Sequence, residues 1–432
     1  MDLDEWDRSR SRSLTRPHAA NTRNHHPNSS SPITPTKQSS SQQNVPPTHP
    51  PKMSDLARTF AKTKLSSLPP EPLLTEDPED DSSSASSMSS TGTVIPSSSL
   101  RPAAPVHWTS YFSQEFYLER ESGTTPTGTF IPAAKFHVYL TPPVVGSKAP
   151  LIVLHHGAGS SALSFGLCAG EIHKLLPEAG ILAIEARDHG SVVWNADGGV
   201  DANLDIDVLS QDLVDMLFLT QARMGWKALP MIVLVGHSLG GAVVTNTAKK
   251  GLLGNKLLGF GVLDVVEGSA LEQLKYMETY LASRPKSFAS LEAAIEWHVR
   301  SRTLRNPQSA RASVPSLLLQ KPDGRWGWRT ELSTSEPYWE NWFAGMSAKF
   351  LSAKGAKLLL LAGTDRLDKE LMIGQMQGKF QMHVFPTAGH FLHEDMPEKT
   401  AEVIVEFVKR NDRSALVLPP KVSDLLAQGK KV

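Results

Sequence analysis

Residues 231–235 (MIVLV) run straight into Gly236-His237-Ser238-Leu239-Gly240 and then into residues 241–250 (GAVVTNTAKK). An apolar strand, a G-x-S-x-G turn and a helical pattern in direct succession leave few folds open. The turn is so sharp that small residues must flank the serine, and its hydroxyl then stands above the edge of a buried sheet. The N–H of Leu239, at the start of the helix, is placed to face a developing oxyanion. Ser238 is therefore the candidate nucleophile.

A serine hydroxyl is a weak nucleophile at neutral pH and needs a base. His390, in Thr387-Ala388-Gly389-His390-Phe391, lies just after the last strand pattern and before the final helix. Serine, acid, histidine is the chain order this turn belongs to. His393 is the rival base. A second Gly-rich loop, His155-His156-Gly157-Ala158-Gly159-Ser160, follows residues 151–154 (LIVL). In such folds that loop supplies the other oxyanion donor; Gly157, Ala158 and Gly159 are the candidates. Two carboxylates end strands and compete for the role of acid. Asp365 follows LLLLAG at the commoner position, and Asp264 follows LLGFGVL one strand earlier.

Short apolar runs recur at 136–140, 151–154, 181–184, 231–235, 257–263, 358–361 and 382–385, each short enough to be a strand buried on both faces. Leu209, Leu213 and Leu217 mark one intervening helix, and Val403, Ile404, Phe407 and Val408 another. Strands alternating with helices imply an α/β fold with a doubly wound, mostly parallel sheet. The alternation fails at about 265–353, which reads as a cap over the sheet's C-terminal edge, where ligands bind in open α/β sheets. Its Trp326, Trp328, Tyr338, Trp339 and Trp342 read as packing rather than contact residues. Residues 1–104 are rich in Ser and Pro and too poor in apolar groups to offset ordering entropy, so a disordered tail is expected there. The folded domain is expected at 105–412, with a C-terminal tail at 413–432.

Charge and cysteine set further bounds. Lys+Arg 44 against Asp+Glu 44 gives no electrostatic reason to expect nucleic acid or an anionic membrane as partner. The one cysteine, Cys168, can form no intramolecular disulfide, which suits a reducing compartment. The first residues, MDLDEWDRSRSRSLTRP, lack the apolar core of a secretory signal. A soluble cytoplasmic or nuclear protein is the expectation.

Residues 264–270 (DVVEGSA), 361–382 (LAGTDRLDKELMIGQMQGKFQM) and SALSF after the oxyanion loop resemble the protein phosphatase methylesterases, a branch of the α/β-hydrolase superfamily. The resemblance covers roughly 101–412. It implies hydrolysis of the methyl ester on the C-terminal leucine of the protein phosphatase 2A catalytic subunit, with that subunit as partner and no cofactor or metal. It maps nucleophile and base to Ser238 and His390. It maps the acid to Asp264, overruling the generic preference for Asp365. A carboxylesterase or lipase of small esters would share these residues; the other alternative is a phosphatase-binding regulator that acts without turnover.

Overall fold

The computed structural model describes residues 104–363 and 367–412. The two tails, apart from Ala104, and the rival acid Asp365 lie outside the described residues.

The expected strands form and assemble into one sheet. In chain order its main strands are β1 (Gln114–Arg120), β2 (Ala133–Thr141), β3 (Leu151–His155), β4 (Gly180–Ile184), β5 (Ile232–His237), β6 (Leu257–Leu263), β7 (Ala356–Leu361) and β8 (Gln381–Val384). Their spatial order is β1-β2-β4-β3-β5-β6-β7-β8, and Val192–Trp194 pairs with β2 at one side. The pairs from β4 through β8 are parallel, while β1–β2 and β2–β4 are antiparallel. β1 escapes the sequence reading because QEFYLER exposes most of one face at the sheet edge.

β3, β4 and β5 are buried at every position, which is why they read as continuous apolar runs rather than alternating ones. Helices cover both faces. On one lie α1 (Gly166–Leu175) and α4 (Pro397–Asn411), whose Ile172, Ile404 and Phe407 pack under Ile152, Leu154 and Val233. On the other lie α2 (Ile206–Met224) and α3 (Leu239–Lys250), packed against Val153, Leu182 and Leu234. Burying each such side chain contributes about 1.5–3 kcal/mol. α2 is bounded by chemistry: Asp205 accepts the N–H of Asp207 at 2.8 Å, and Gly225 ends the helix at φ 63°.

Between β6 and β7 the chain leaves the sheet. Here Leu291–Arg300 and Pro307–Ser313 pack with a small antiparallel sheet of Ser287–Phe288, Trp326–Trp328 and Leu318–Gln320. Phe288, Ile295, Leu304 and Val314 give this cap its own apolar core. Trp339 and Trp342 are buried packing residues, and the Trp342 indole N–H donates to the Leu204 carbonyl at 2.7 Å. Among the described residues no helix is long and apolar enough to cross a membrane.

Candidate active site

Ser238 stands where β5 becomes α3, at φ 51° and ψ −118°. That conformation is rare for a side-chain-bearing residue, and strain of this kind concentrates at functional turns. Two features hold it. The Ser238 N–H donates to the Leu263 carbonyl of β6 at 3.1 Å, and the flanking glycines let the strand and helix close on each other. A methyl group at Gly236 would lie 2.1 Å from the Gly240 carbonyl oxygen.

Asp264 directly follows β6, also at positive φ (51°), with its side chain fully buried. Its Oδ1 accepts the Ala362 N–H at 2.8 Å, and its Oδ2 lies 2.8 Å from His390 Nδ1. The His390 side chain is 44% exposed, so the histidine reaches from the buried carboxylate towards the open edge. A buried carboxylate on Nδ1 fixes the tautomer in which Nε2 is the free base.

The residue preceding the serine ties the elbow to the base. His237 is buried, and its Nε2–H donates to the His390 carbonyl at 2.9 Å. Its ring also lies 4.6 Å from that of His390. Sequence reading gave His237 no task, because the middle positions of G-x-S-x-G are free in the motif. His393, the rival base, is fully buried and stacks on Phe165 at 4.2 Å. Burial, then the neighbouring His390, pushes its pKa down to about 3.

The oxyanion loop is narrowed by its own hydrogen bonds. The Gly159 N–H donates to His189 Nε2 at 2.8 Å, which takes Gly159 out of the candidate donors. Among the described residues the N–H groups of Gly157, Ala158 and Leu239 have no acceptor. The loop is close enough that a methyl at Gly157 would lie 3.1 Å from Ser238 Cβ. Its support was hidden in the sequence. His189 Nδ1–H donates to the Arg187 carbonyl at 3.0 Å, and the buried Arg187 guanidinium makes a two-pronged bond to Asp212 at 2.5 and 2.8 Å. His156 donates to the Gly157 carbonyl at 2.7 Å and accepts the Ala186 N–H at 3.0 Å. No spacing rule links these residues; only the fold brings them together.

These histidines make the fold acid-labile. Burial lowers the pKa of His155 and His393 to about 3, and of His189 and cap residue His298 to about 4. An unfolded chain protonates all of them near pH 6.5, so between about pH 6.5 and 4 it binds protons that the folded chain refuses. Stability therefore falls as pH falls through that window, by up to about 1.4 kcal/mol per pH unit for each histidine. Glu394 opposes this, since burial raises its pKa and its proton is retained on folding. One carboxyl against four imidazoles does not reverse the sign. The urea midpoint is expected to drop between pH 7.5 and 5.5; a flat midpoint would contradict the neutral buried histidines.

Residues 152–403 match the model of the alpha/beta hydrolase family. The chain is 56% identical to protein phosphatase methylesterase 1 of Aspergillus fumigatus, over 87% of this chain and 93% of that one. It is 53% identical to the protein of that name in Aspergillus oryzae, over 87% and 94%. With the protein of that name in Schizosaccharomyces pombe it is 43% identical over 73% and 87%. Among solved structures, E-2-(acetamidomethylene)succinate hydrolase superposes with a TM-score of 0.52 at 16% identity, covering 68% of this chain and all of that one. At that identity the likeness speaks for the fold alone. The chain belongs to the alpha/beta hydrolase family and, within it, to the protein phosphatase methylesterases.

Proposed function

We propose that this protein removes the methyl ester from the C-terminal leucine of the protein phosphatase 2A catalytic subunit, with Ser238, His390 and Asp264 as its catalytic triad. The chemistry is supported above all by the 2.8 Å contact between His390 Nδ1 and the buried Asp264 carboxylate, in a loop bonded to the serine's own turn. The phosphatase substrate is supported by 56% and 53% identity, over 87% of this chain, to two proteins named protein phosphatase methylesterase 1.

Ser238 Oγ attacks the ester carbonyl while His390 Nε2 takes its proton. Asp264 holds the imidazole in register and stabilises the imidazolium that forms. Negative charge grows on the carbonyl oxygen against the N–H of Leu239 and an N–H from Gly157 or Ala158; losing one such donor typically costs about 2.7–4 kcal/mol of barrier. Methanol departs with the proton from His390. Water, deprotonated by the same histidine, then cleaves the acyl-enzyme and frees the leucine carboxylate. No step draws on a metal.

The test is methanol release from methylated phosphatase, run beside hydrolysis of a p-nitrophenyl acyl ester. Selective turnover of the phosphatase is expected. Turnover of the small ester alone would make the protein a general carboxylesterase, and binding of the phosphatase with no release would make it a non-catalytic regulator.

A further inference from the structure

A cavity of about 430 Å³ opens beside His390. Ala362, Gly363 and the 388–391 loop form its wall at the sheet edge, and Tyr280, Arg302, Thr303 and Arg305 form the wall contributed by the cap. Among the described residues lining it are two guanidinium groups and no carboxylate.

Arg305 is already engaged. Its N–H donates to Asp395 Oδ1 at 2.7 Å, its Nη1 donates to the Thr387 carbonyl, and its Nε lies 3.8 Å from Asp395. Arg302 is different: its backbone N–H donates to the Val299 carbonyl at 3.1 Å, and its guanidinium makes no hydrogen bond or ion pair with any described residue. It also sits at φ 58°, just past the end of Leu291–Arg300, where glycine or asparagine is the usual occupant. An arginine is held in a backbone conformation that disfavours it, with its side chain lining the cavity of the candidate base.

We propose that Arg302, flanked by Arg305, forms a carboxylate-binding subsite for the substrate peptide beside His390. The inference rests on the methylesterase reading. A guanidinium fork matches a carboxylate in shape and charge. Two carboxylates are chemically available: an acidic side chain upstream of the ester, and the terminal carboxylate that hydrolysis creates.

The test uses the full chain and its Arg302→Gln and Arg302→Gly variants, the second of which also relieves the backbone. The probes are two peptides ending in leucine methyl ester, identical except for Asp or Asn upstream, and the free-acid form of the Asn peptide as inhibitor. If the side chain is the ligand, wild type prefers the Asp ester by about tenfold in kcat/KM. Both variants then bring the ratio close to one. If the product carboxylate is the ligand, the ratio is flat, and the inhibition constant of the free acid rises about tenfold in both variants. Ratio and inhibition constant unchanged within twofold in both variants would overturn the subsite while leaving the methylesterase reading intact. Failure of wild type to release methanol from either peptide ester and from methylated phosphatase would sink that reading, and the subsite with it; release from the phosphatase alone would overturn the subsite as a site for the free peptide.

Discussion

Replacing Asp264 with Asn is expected to lower turnover of the methyl ester about 10⁴-fold, and Ser238→Ala about 10⁶-fold, with phosphatase binding retained in both. The reason for the first lies in how the carboxylate is used. Its two oxygens each accept a hydrogen bond, one from the Ala362 N–H and one from His390 Nδ1. An amide has one oxygen for these two donors. If its NH2 faces Ala362, two donors collide in a buried site. If its NH2 faces His390, the imidazole must turn its Nδ1 lone pair towards it and carry its proton on Nε2, where it cannot accept the proton of Ser238. The measurement is kcat for methanol release, with phosphatase affinity read separately. Activity within tenfold of wild type in Asp264→Asn, together with its loss in Asp365→Asn, would move the acid to Asp365.

How much of this was legible in the sequence depended on whether a residue's task is local. The turn that carries the candidate nucleophile Ser238 was legible because strand, turn and helix adjoin in the chain, and the candidate base His390 because its place after the last strand follows the fold's order. The buried strands read correctly since each is apolar on both faces. Asp264 and Asp365 could not be separated by strand logic, because each follows an apolar run that reads as a strand; family resemblance pointed to Asp264, whose carboxylate lies 2.8 Å from His390 Nδ1. His189, Arg187 and Asp212 carried no signal at all. They act on Gly159 through a relay of bonds across three separate segments, and nothing in their spacing anticipates it. The same relay explains why three candidate oxyanion positions reduce to two. The small sheet inside the cap was missed for a related reason, since strands of two or three residues have no periodicity to read.

Gly240→Ala is expected to destabilise the protein by more than about 4 kcal/mol, the range reached only by severe core lesions. Ordinary helix propensity points the other way, since alanine in place of glycine within a helix gains about 1 kcal/mol. Sterics decide the sign. A methyl group on Gly240 would lie 2.2 Å from the His155 carbonyl oxygen and 2.6 Å from that of His156. Both obstacles are backbone and buried: His155 is paired with Gly236 at the end of β3 and His156 follows it directly, so neither can step aside without straining the β3–β5 pairing. Gly241→Ala is the control. The nearest atoms to its methyl would be the side-chain tips of Val265 and Val262, at 2.8 and 3.0 Å, with the Gly236 carbonyl oxygen at 3.2 Å. The tips can shift, and a cost of about 1–3 kcal/mol is expected. Urea unfolding of the two variants reads the difference, and serine-directed fluorophosphonate labelling reports whether Ser238 keeps its reactivity. A Gly240→Ala protein as stable and as reactive as the Gly241→Ala protein would mean that the helix does not press on the oxyanion loop. The close approach of nucleophile and donors, on which the proposed chemistry depends, would then not be enforced by packing.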